Sequence, residues 1–394
     1  SRRPSTVRCR TVSMDASVRA AWFPTAPVAP SMTTRRAVGS VMLALSAVRG
    51  AGVKSVAIGA SSDIVRGMPD FESAEAETTN GQSLAWVVVI ALVGMTGVRA
   101  LRGDAAWLLI VWGAYTPFVL LPAYGTLVFA VARKHRMLAV ASLGLIALHL
   151  VLVVPQVFVR TPSAEPPEPA LRVATMNGNG WNTHPDLTLR PLARHDADLL
   201  CLQEVSPVWA DALLDGGWLD DYPHRHMDVR EGVWGMALLS RIPMQIIHTD
   251  DLNEAQGIEA TLELRGRALR VLCVHPAPPA GAFVDSHLDA LSKILAWTVA
   301  HRDEPAVILG DLNSTPYSSF STAMRAHVDD AWELAGKRGL GHTWPNGGML
   351  YPPARLDHVY VTRSLGVLHA EVGMPGLSDH APVVADIVLR ANHE

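Results

Sequence analysis

Residues 306–313 read AVILGDLN, an apolar run that passes through Gly310 into Asp311 and Asn313. The run is too short for a helix and is closed by a good turn sequence, so it reads as a buried strand. Repetition makes it decisive. LRVATM (171–176) runs into Asn177, with Asn179 two residues on; ADLLCL (197–202) runs into Gln203 and Glu204; LRVLCV (269–274) runs into His275. Each time a strand delivers a polar side chain at its C-terminal end, where α/β sheets collect ligands. GMALLS (235–240), LDHVYV (356–361) and PVVADIVL (382–389) read as further strands. FVDSHLDALSKILAWTVA (283–300) reads as an amphipathic helix with Leu288, Leu291, Leu295 and Val299 on one stripe. Strands bracketing helices predict an α/β domain with mixed sheets from Leu171 onward.

Asp379 and His380 sit differently, in GLSDHAPVV (376–384), ahead of a strand. Alone, the pair reads as a turn that starts the strand. In an antiparallel neighbour, however, that start lies beside the other strands' ends. One cluster would then gather Asn177, Asn179, Glu204, His275, Asp311, Asn313, Asp379 and His380. Carboxylate and amide oxygens with no thiolate make a hard site suited to Mg2+ or Mn2+. Such an ion neutralises a phosphate and polarises its P–O bond. A carboxylate off the metal can take a proton from water, and a histidine can bind phosphoryl oxygens. Each motif has a plainer reading alone: a helix start, a turn, a structural histidine. Their joint order carries the argument.

That order, N-x-N (177–179), LCLQEV (200–205), VH (274–275), GDLN (310–313), LDHV (356–359) and SDH (378–380), resembles the endonuclease/exonuclease/phosphatase superfamily of DNase I-like enzymes. The resemblance covers about 171–390. Together with TWP (343–345) and an apolar N-terminal half, it is similar to the membrane-anchored bacterial branch that includes the glycopeptide-resistance protein VanJ. It implies a four-layer α/β sandwich, two mixed sheets face to face with helices outside. By the same resemblance Glu204 is the principal metal ligand, assisted by Asp379. Asn177 orients the phosphate, Asp311 activates the attacking water and Asn313 holds the phosphate. His275 contacts a phosphoryl oxygen or assists the leaving group. His380 binds phosphate and is paired with Asp357, which sets its tautomer and raises its basicity. Asn179 stands where some members carry a metal-binding Asp, and a neutral amide is a weaker ligand. Trp344 reads as core, rim or substrate contact, and Arg355 as phosphate contact or surface.

The rest of the chain is a different kind of object. Residues 1–170 hold 16 Lys+Arg against 9 Asp+Glu, whereas residues 171–394 hold 17 against 28. Residues 1–77 carry scattered Pro, Ser and Arg and read as disordered or as an over-extended start, with a short apolar run at 37–48 like a signal h-region. Three uncharged segments follow, 78–98, 105–132 and 137–159. Each is long enough for the roughly 20 residues a bilayer span takes, which predicts a three-helix transmembrane region. The cluster Arg133-Lys134-His135-Arg136 belongs on the cytoplasmic side. That places the catalytic domain outside the membrane, beyond a stiff Pro-rich linker at 160–170. Cys201 and Cys273 read as small buried hydrophobes, without a disulfide framework, although a pair between them stays open.

The expected activity is therefore a metal-dependent phosphatase or pyrophosphatase acting on a lipid-linked phosphate, an isoprenoid carrier or a phospholipid, at the outer membrane surface. The expected partners are the bilayer and that phosphorylated lipid or another small phosphate ester, with nucleic acid not expected and no protein partner inferable. A membrane-anchored nuclease is the alternative; the acidic domain argues against a long polyanion, whose binding draws on Lys and Arg. A non-catalytic tethered binding domain is a third reading, and the intact set of acids speaks against it.

Overall fold

A computed structural model of the chain describes residues 71–157, 171–251, 256–337, 339–346 and 351–390. The apolar run at 37–48 and the Pro-rich linker lie outside the described residues. The chain divides into Ser1–Ser83 and Leu84–Glu394. Of the first unit the described part is the start of helix α1, and the sites below all belong to the second.

The apolar region forms α1 (Phe71–Arg102), α2 (Trp107–Ala114), α3 (Thr116–Val119), α4 (Pro122–Ala132) and α5 (Arg136–Val157). Residues 71–77, expected outside the first span, belong to α1. Asn80–Arg102 and Arg136–Val157 are long and apolar enough to cross a membrane. The single span expected over 105–132 is instead broken, with a bend of 77° between Trp107–Ala114 and Thr116–Ala132. The cause lies in the sequence. Pro117 and Pro122 lack an amide hydrogen and clash with a preceding turn, so each begins a helix instead of continuing one.

Val89, Leu92, Leu120, Ala123, Leu138 and Leu145 pack these helices together, while Leu84, Val87, Ile90, Val128, Val140 and Val151 stay exposed. Several polar groups inside the bundle find partners, although the buried Thr96 hydroxyl of α1 has none among the described residues. The Thr126 and Ser142 hydroxyls meet at 2.8 Å. His149 lies between the Tyr124 hydroxyl at 3.0 Å and the Pro117 carbonyl at 3.2 Å. Helices that are apolar outside and pair most of their inner polar groups suit a hydrocarbon surrounding.

From Leu171 the chain alternates strands and helices. The strands are β1 (Leu171–Asn177), β2 (Leu199–Gln203), β3 (His224–Asp228), β4 (Met236–Ser240), β5 (Met244–Asp251), β6 (Gln256–Leu264), β7 (Arg267–Val274), β8 (Ala306–Asp311), β9 (Val328–Asp330), β10 (Asp357–Thr362), β11 (Leu365–Val372) and β12 (Val383–Leu389). They form two six-stranded mixed sheets, ordered β11-β12-β1-β2-β4-β3 and β5-β6-β7-β8-β10-β9.

Side chains alternate across each strand. Val173, Cys201, Leu238, Val271, Cys273, Val307, Leu309, Val359 and Ala385 point between the sheets and make the main core. Met176, Leu200 and Leu202 point the other way, under Leu189 of α6 (Asp186–Ala193) and Trp209 and Leu213 of α7 (Pro207–Asp215). On the second sheet Leu272, Ile308 and Tyr360 lie under Leu291 and Ile294 of α8 (Val284–His301) and Phe320 of α9 (Ser319–Met324). The result is four layers, helix–sheet–sheet–helix. A disulfide between Cys201 and Cys273, Cα atoms 5.8 Å apart, ties the sheets across the main core. Two cysteines read as hydrophobes are thus both buried and bonded.

Candidate active site

The same alternation builds the site. Along β1, β2, β7, β8 and β10 the inward-facing positions run 173, 201, 271 and 273, 307 and 309, and 359. Continuing the same parity gives Asn177, Gln203, His275 and Asp311 at the C-terminal ends of their strands, and Asp357 at the start of the antiparallel β10. The site is therefore the core continued past its apolar end, with polar side chains in the inward places. Register aligns them. Asn177 lies opposite Gln203, Val274 opposite Gly310, and Asp357 opposite Asp311. Gly310 is required there, because a Cβ would lie 1.9 Å from the Val274 carbonyl oxygen.

Asn177 is the hub. Its amide nitrogen donates to Glu204 Oε1 at 2.9 Å and to Asp311 Oδ2 at 3.0 Å. Gly180 N–H donates to Glu204 Oε2 at 2.8 Å. His275 Nε2 stands 3.6 Å from Asp311 Oδ2 and 3.9 Å from Glu204 Oε1. His380 Nε2 stands 3.8 Å from Asp311 Oδ2, while its Nδ1–H donates to Asp357 Oδ2 at 2.8 Å. Asn313 N–H donates to Asp311 Oδ1 at 2.8 Å, and its amide donates to the Pro276 carbonyl at 3.0 Å. Glu204 and Asn313 take left-handed backbone, φ 61° and 47°, a strained conformation that concentrates at functional sites.

Burial sets the charges. It pushes Glu204 up to about 7, against hydrogen bonds from Gly180 and Asn177. It also raises Asp311, against the opposing pull of His380. His275 is lowered by burial, so it is neutral at pH 7. Burial would lower His380 too, but Asp357 and Asp311 outweigh it and raise it to about 10. The site at neutral pH thus presents one imidazolium and two crowded acids.

That donor set fits a divalent cation. Glu204 and Asp311 turn oxygens to one point, and among the described residues no Lys or Arg lines the surrounding cavity. His275 Nδ1 and Asp357 Oδ1 are buried without a partner among the described residues, which leaves capacity for a bound group. Asp311, Asp357 and His380 also bring ligand atoms within 4.8 Å of one another. There the Asp357–His380 hydrogen bond already uses one nitrogen and one oxygen, so we read this trio as a proton-handling group beside the cation site.

The other sequence candidates divide. Asp379 and Trp344 line the same cavity, and the indole N–H donates to Asp379 Oδ2 at 3.1 Å. Asn179 supports the loop: its side-chain oxygen accepts from Trp181 N–H at 3.1 Å, and its own N–H donates to Asn177 Oδ1 at 2.9 Å. Arg355 is neither a cavity group nor a surface group. It is 4% exposed and paired to Asp330 at 3.1 Å and Glu333 at 3.3 Å.

Two contributors escaped sequence reasoning. Ser378 Oγ donates to the Asn177 carbonyl at 2.7 Å and accepts from His380 N–H at 3.0 Å, joining the first and last motifs. Its place beside Asp379-His380 was the available signal. The second is α2. Trp107, Ile110, Val111, Ala114 and Tyr115 line a cavity of about 490 Å³ together with Glu204, His275, Asp311, Asn313 and His380. Nothing in an uninterrupted hydrophobic run announces that.

Comparison with known proteins gives a family match over residues 174–380, to the profile described as the Endonuclease/Exonuclease/phosphatase family. No curated protein sequence matches the chain. Among solved structures, similar ones include D. rerio TDP2 complexed with single strand DNA product, at 19% identity over 55% of this chain and 98% of that one, TM-score 0.47. Another is the endonuclease/exonuclease/phosphatase from Beutenbergia cavernae, at 20% over 56% and 72%, TM-score 0.44. A third is the 3′ phosphatase NExo from Neisseria bound to product DNA hairpin, at 17% over 56% and 100%, TM-score 0.45.

Proposed function

Because the chain belongs to the endonuclease/exonuclease/phosphatase family, and is thus a phosphoester hydrolase, we propose that it removes phosphate from a lipid-linked phosphate or pyrophosphate at the outer face of a membrane. An isoprenoid carrier is the first candidate and a phospholipid the second, in keeping with the resemblance to the VanJ branch. One observation carries this reading. The last turn of α1 and the loop before α2 are hydrogen-bonded to the catalytic segment just after Asn313. Arg99 donates to the Tyr317 carbonyl at 2.6 Å, and Asp104 accepts from Ser319 N–H at 2.6 Å. The phosphate site is held at the end of helices apolar enough to cross a bilayer.

The side chains divide the work. Glu204 would hold Mg2+ or Mn2+, with Asp379 on the same cavity wall. When bound, that ion neutralises phosphate charge and polarises the ester. Asp311 takes the proton of the attacking water, its basicity raised by burial and its aim fixed by Asn177 and Asn313. His380, held as imidazolium by Asp357, faces the phosphoryl oxygens with Nε2 and stabilises the charge that builds on them. Neutral His275 donates to a phosphoryl or leaving oxygen.

The disulfide in the core supports an oxidising, extracytoplasmic setting. The test is phosphate release by the full chain in detergent with Mg2+ from polyprenyl diphosphate and phosphatidate, beside strand cleavage of plasmid DNA. Asp311→Ala should lower release by about a thousandfold, and chelation should abolish it until Mg2+ or Mn2+ is restored. Release unaffected by the substitution removes the mechanism, and DNA as the sole substrate replaces the lipid reading with the nuclease.

A further inference from the structure

Resting on that reading, we propose that α2 is the binding wall for the hydrocarbon chain of the substrate, so that the chain lies along this helix while its phosphate meets Asp311 and His380. The lining residues Trp107, Ile110, Val111 and Ala114 form one face of α2, and Tyr115, just past its end, continues the same helical spacing. Val233, Pro278, Pro279 and Ala280 line the same cavity. Glu204, His275, Asp311 and His380 are gathered by successive contacts of 3.9, 3.6 and 3.8 Å, and most of the remaining lining is apolar. That is the shape of an amphiphile, and its volume of about 490 Å³ is that of a ligand pocket. A polyanion would need Lys or Arg along the cavity, and among the described residues none lines it.

The wall is built into place. Arg99 donates to the Leu109 carbonyl at 3.3 Å, is paired with Asp104 at 3.1 Å and reaches Tyr317, so α1, α2 and the catalytic segment share one guanidinium. The geometry also gives the chain a way in. With residues 116–132 running through the bilayer, the 77° bend lays α2 near the membrane plane. Trp107 and Trp112 then sit at the interfacial level that tryptophan favours, and Leu108, 53% exposed, faces away from the cavity. A lipid would slide sideways from the outer leaflet along α2, and a water-soluble phosphate would enter past Trp344 and Tyr351 with nothing to hold at the apolar wall.

The experiment compares kcat/KM for a long polyprenyl diphosphate and for phosphatidate with that for isopentenyl diphosphate, using full-length protein in detergent. Ala114→Trp fills the wall and should lower the ratio of lipid to short-chain turnover about tenfold. Leu108→Trp, the same bulk on the other face of α2, should leave the ratio unchanged. A photoreactive polyprenyl phosphate carrying its diazirine in the tail should label residues 107–115 of the unsubstituted protein, a result that needs no variant to fold. If lipid phosphates are hydrolysed but the ratio ignores Ala114→Trp, moves equally with Leu108→Trp, or the label falls only on α1 and α5, this inference falls and the proposed function stands. If no lipid phosphate is hydrolysed and DNA is, both fall. Whichever of the polyprenyl and phosphatidate ratios Ala114→Trp depresses names the lipid.

Discussion

His380 reaches the cavity with one ring nitrogen and holds Asp357 with the other. The next residue on the same strand, His358, points the opposite way and meets Asp330 at 2.8 Å. Adjacent positions in LDHV thus serve the site and the fold by strand alternation alone. Arg355 belongs to the second group. Burial works against the Asp330 carboxylate, but Arg355 and His358 overcome it and hold it well below the usual range. Arg355→Met should therefore destabilise the protein by about 3 kcal/mol, since it strips a buried acid of its main partner. Activity per folded molecule should be nearly unchanged. A drop in kcat/KM with unaltered melting would restore Arg355 to the phosphate. ADLLCL led to Glu204 only as a strand end, since its inward place falls on Gln203 and Glu204 reaches the site on left-handed backbone. LRVATM, LRVLCV and AVILG told where Asn177, His275 and Asp311 would stand, because inward parity can be counted. It could not tell what a guanidinium after the irregular stretch TWPNGGMLYPPA would reach.

Among the elements, α8 illustrates a control on the site from outside it. His287 Nδ1–H donates to the Ala277 carbonyl at 2.8 Å, fixing the loop that leaves His275. Burial lowers this histidine to about 4. Below the ordinary value near 6.5 the unfolded chain takes up a proton that the folded one refuses. Stability is therefore full above pH 6.5 and lost as pH falls toward 4, by about 3 kcal/mol. Denaturation midpoints between pH 7 and pH 4 should fall less steeply in His287→Asn, which keeps a donor for Ala277 and cannot titrate. Equal slopes in both proteins would discard the assignment.

Strands buried on both faces and the amphipathic α8 were the elements the sequence announced. The outer strands β5, β9 and β11 and the inner β6 were not, since their partly polar runs resemble loops. The break between α2 and α4 was foreshadowed by Pro117 and Pro122, but uniform hydrophobicity hid its angle.

The whole molecule is two sheets sewn together and joined to apolar helices. The Cys201–Cys273 bridge closes a loop with a sequence separation of 72. A loop of that size stabilises by about 4 kcal/mol through the unfolded chain. Cys201→Ser with Cys273→Ser, or added reductant, should lower the melting temperature accordingly, and an unchanged melting curve would show that the bridge is dispensable. Topology is tested separately: an alkaline phosphatase reporter fused after residue 394 should be active, and one fused after Arg133 inactive. The reverse pattern would place the catalytic part in the cytoplasm.

The inward parity of Asn177, His275, Asp311 and Asp357 also restricts how relatives of this chain can differ in length. One residue inserted within β1, β7, β8 or β10 would slip the register and turn its terminal side chain toward the outer helices. Gaps in an alignment should therefore fall between the strands. A relative with a single-residue insertion between 306 and 311 should have lost its reaction while keeping its shape.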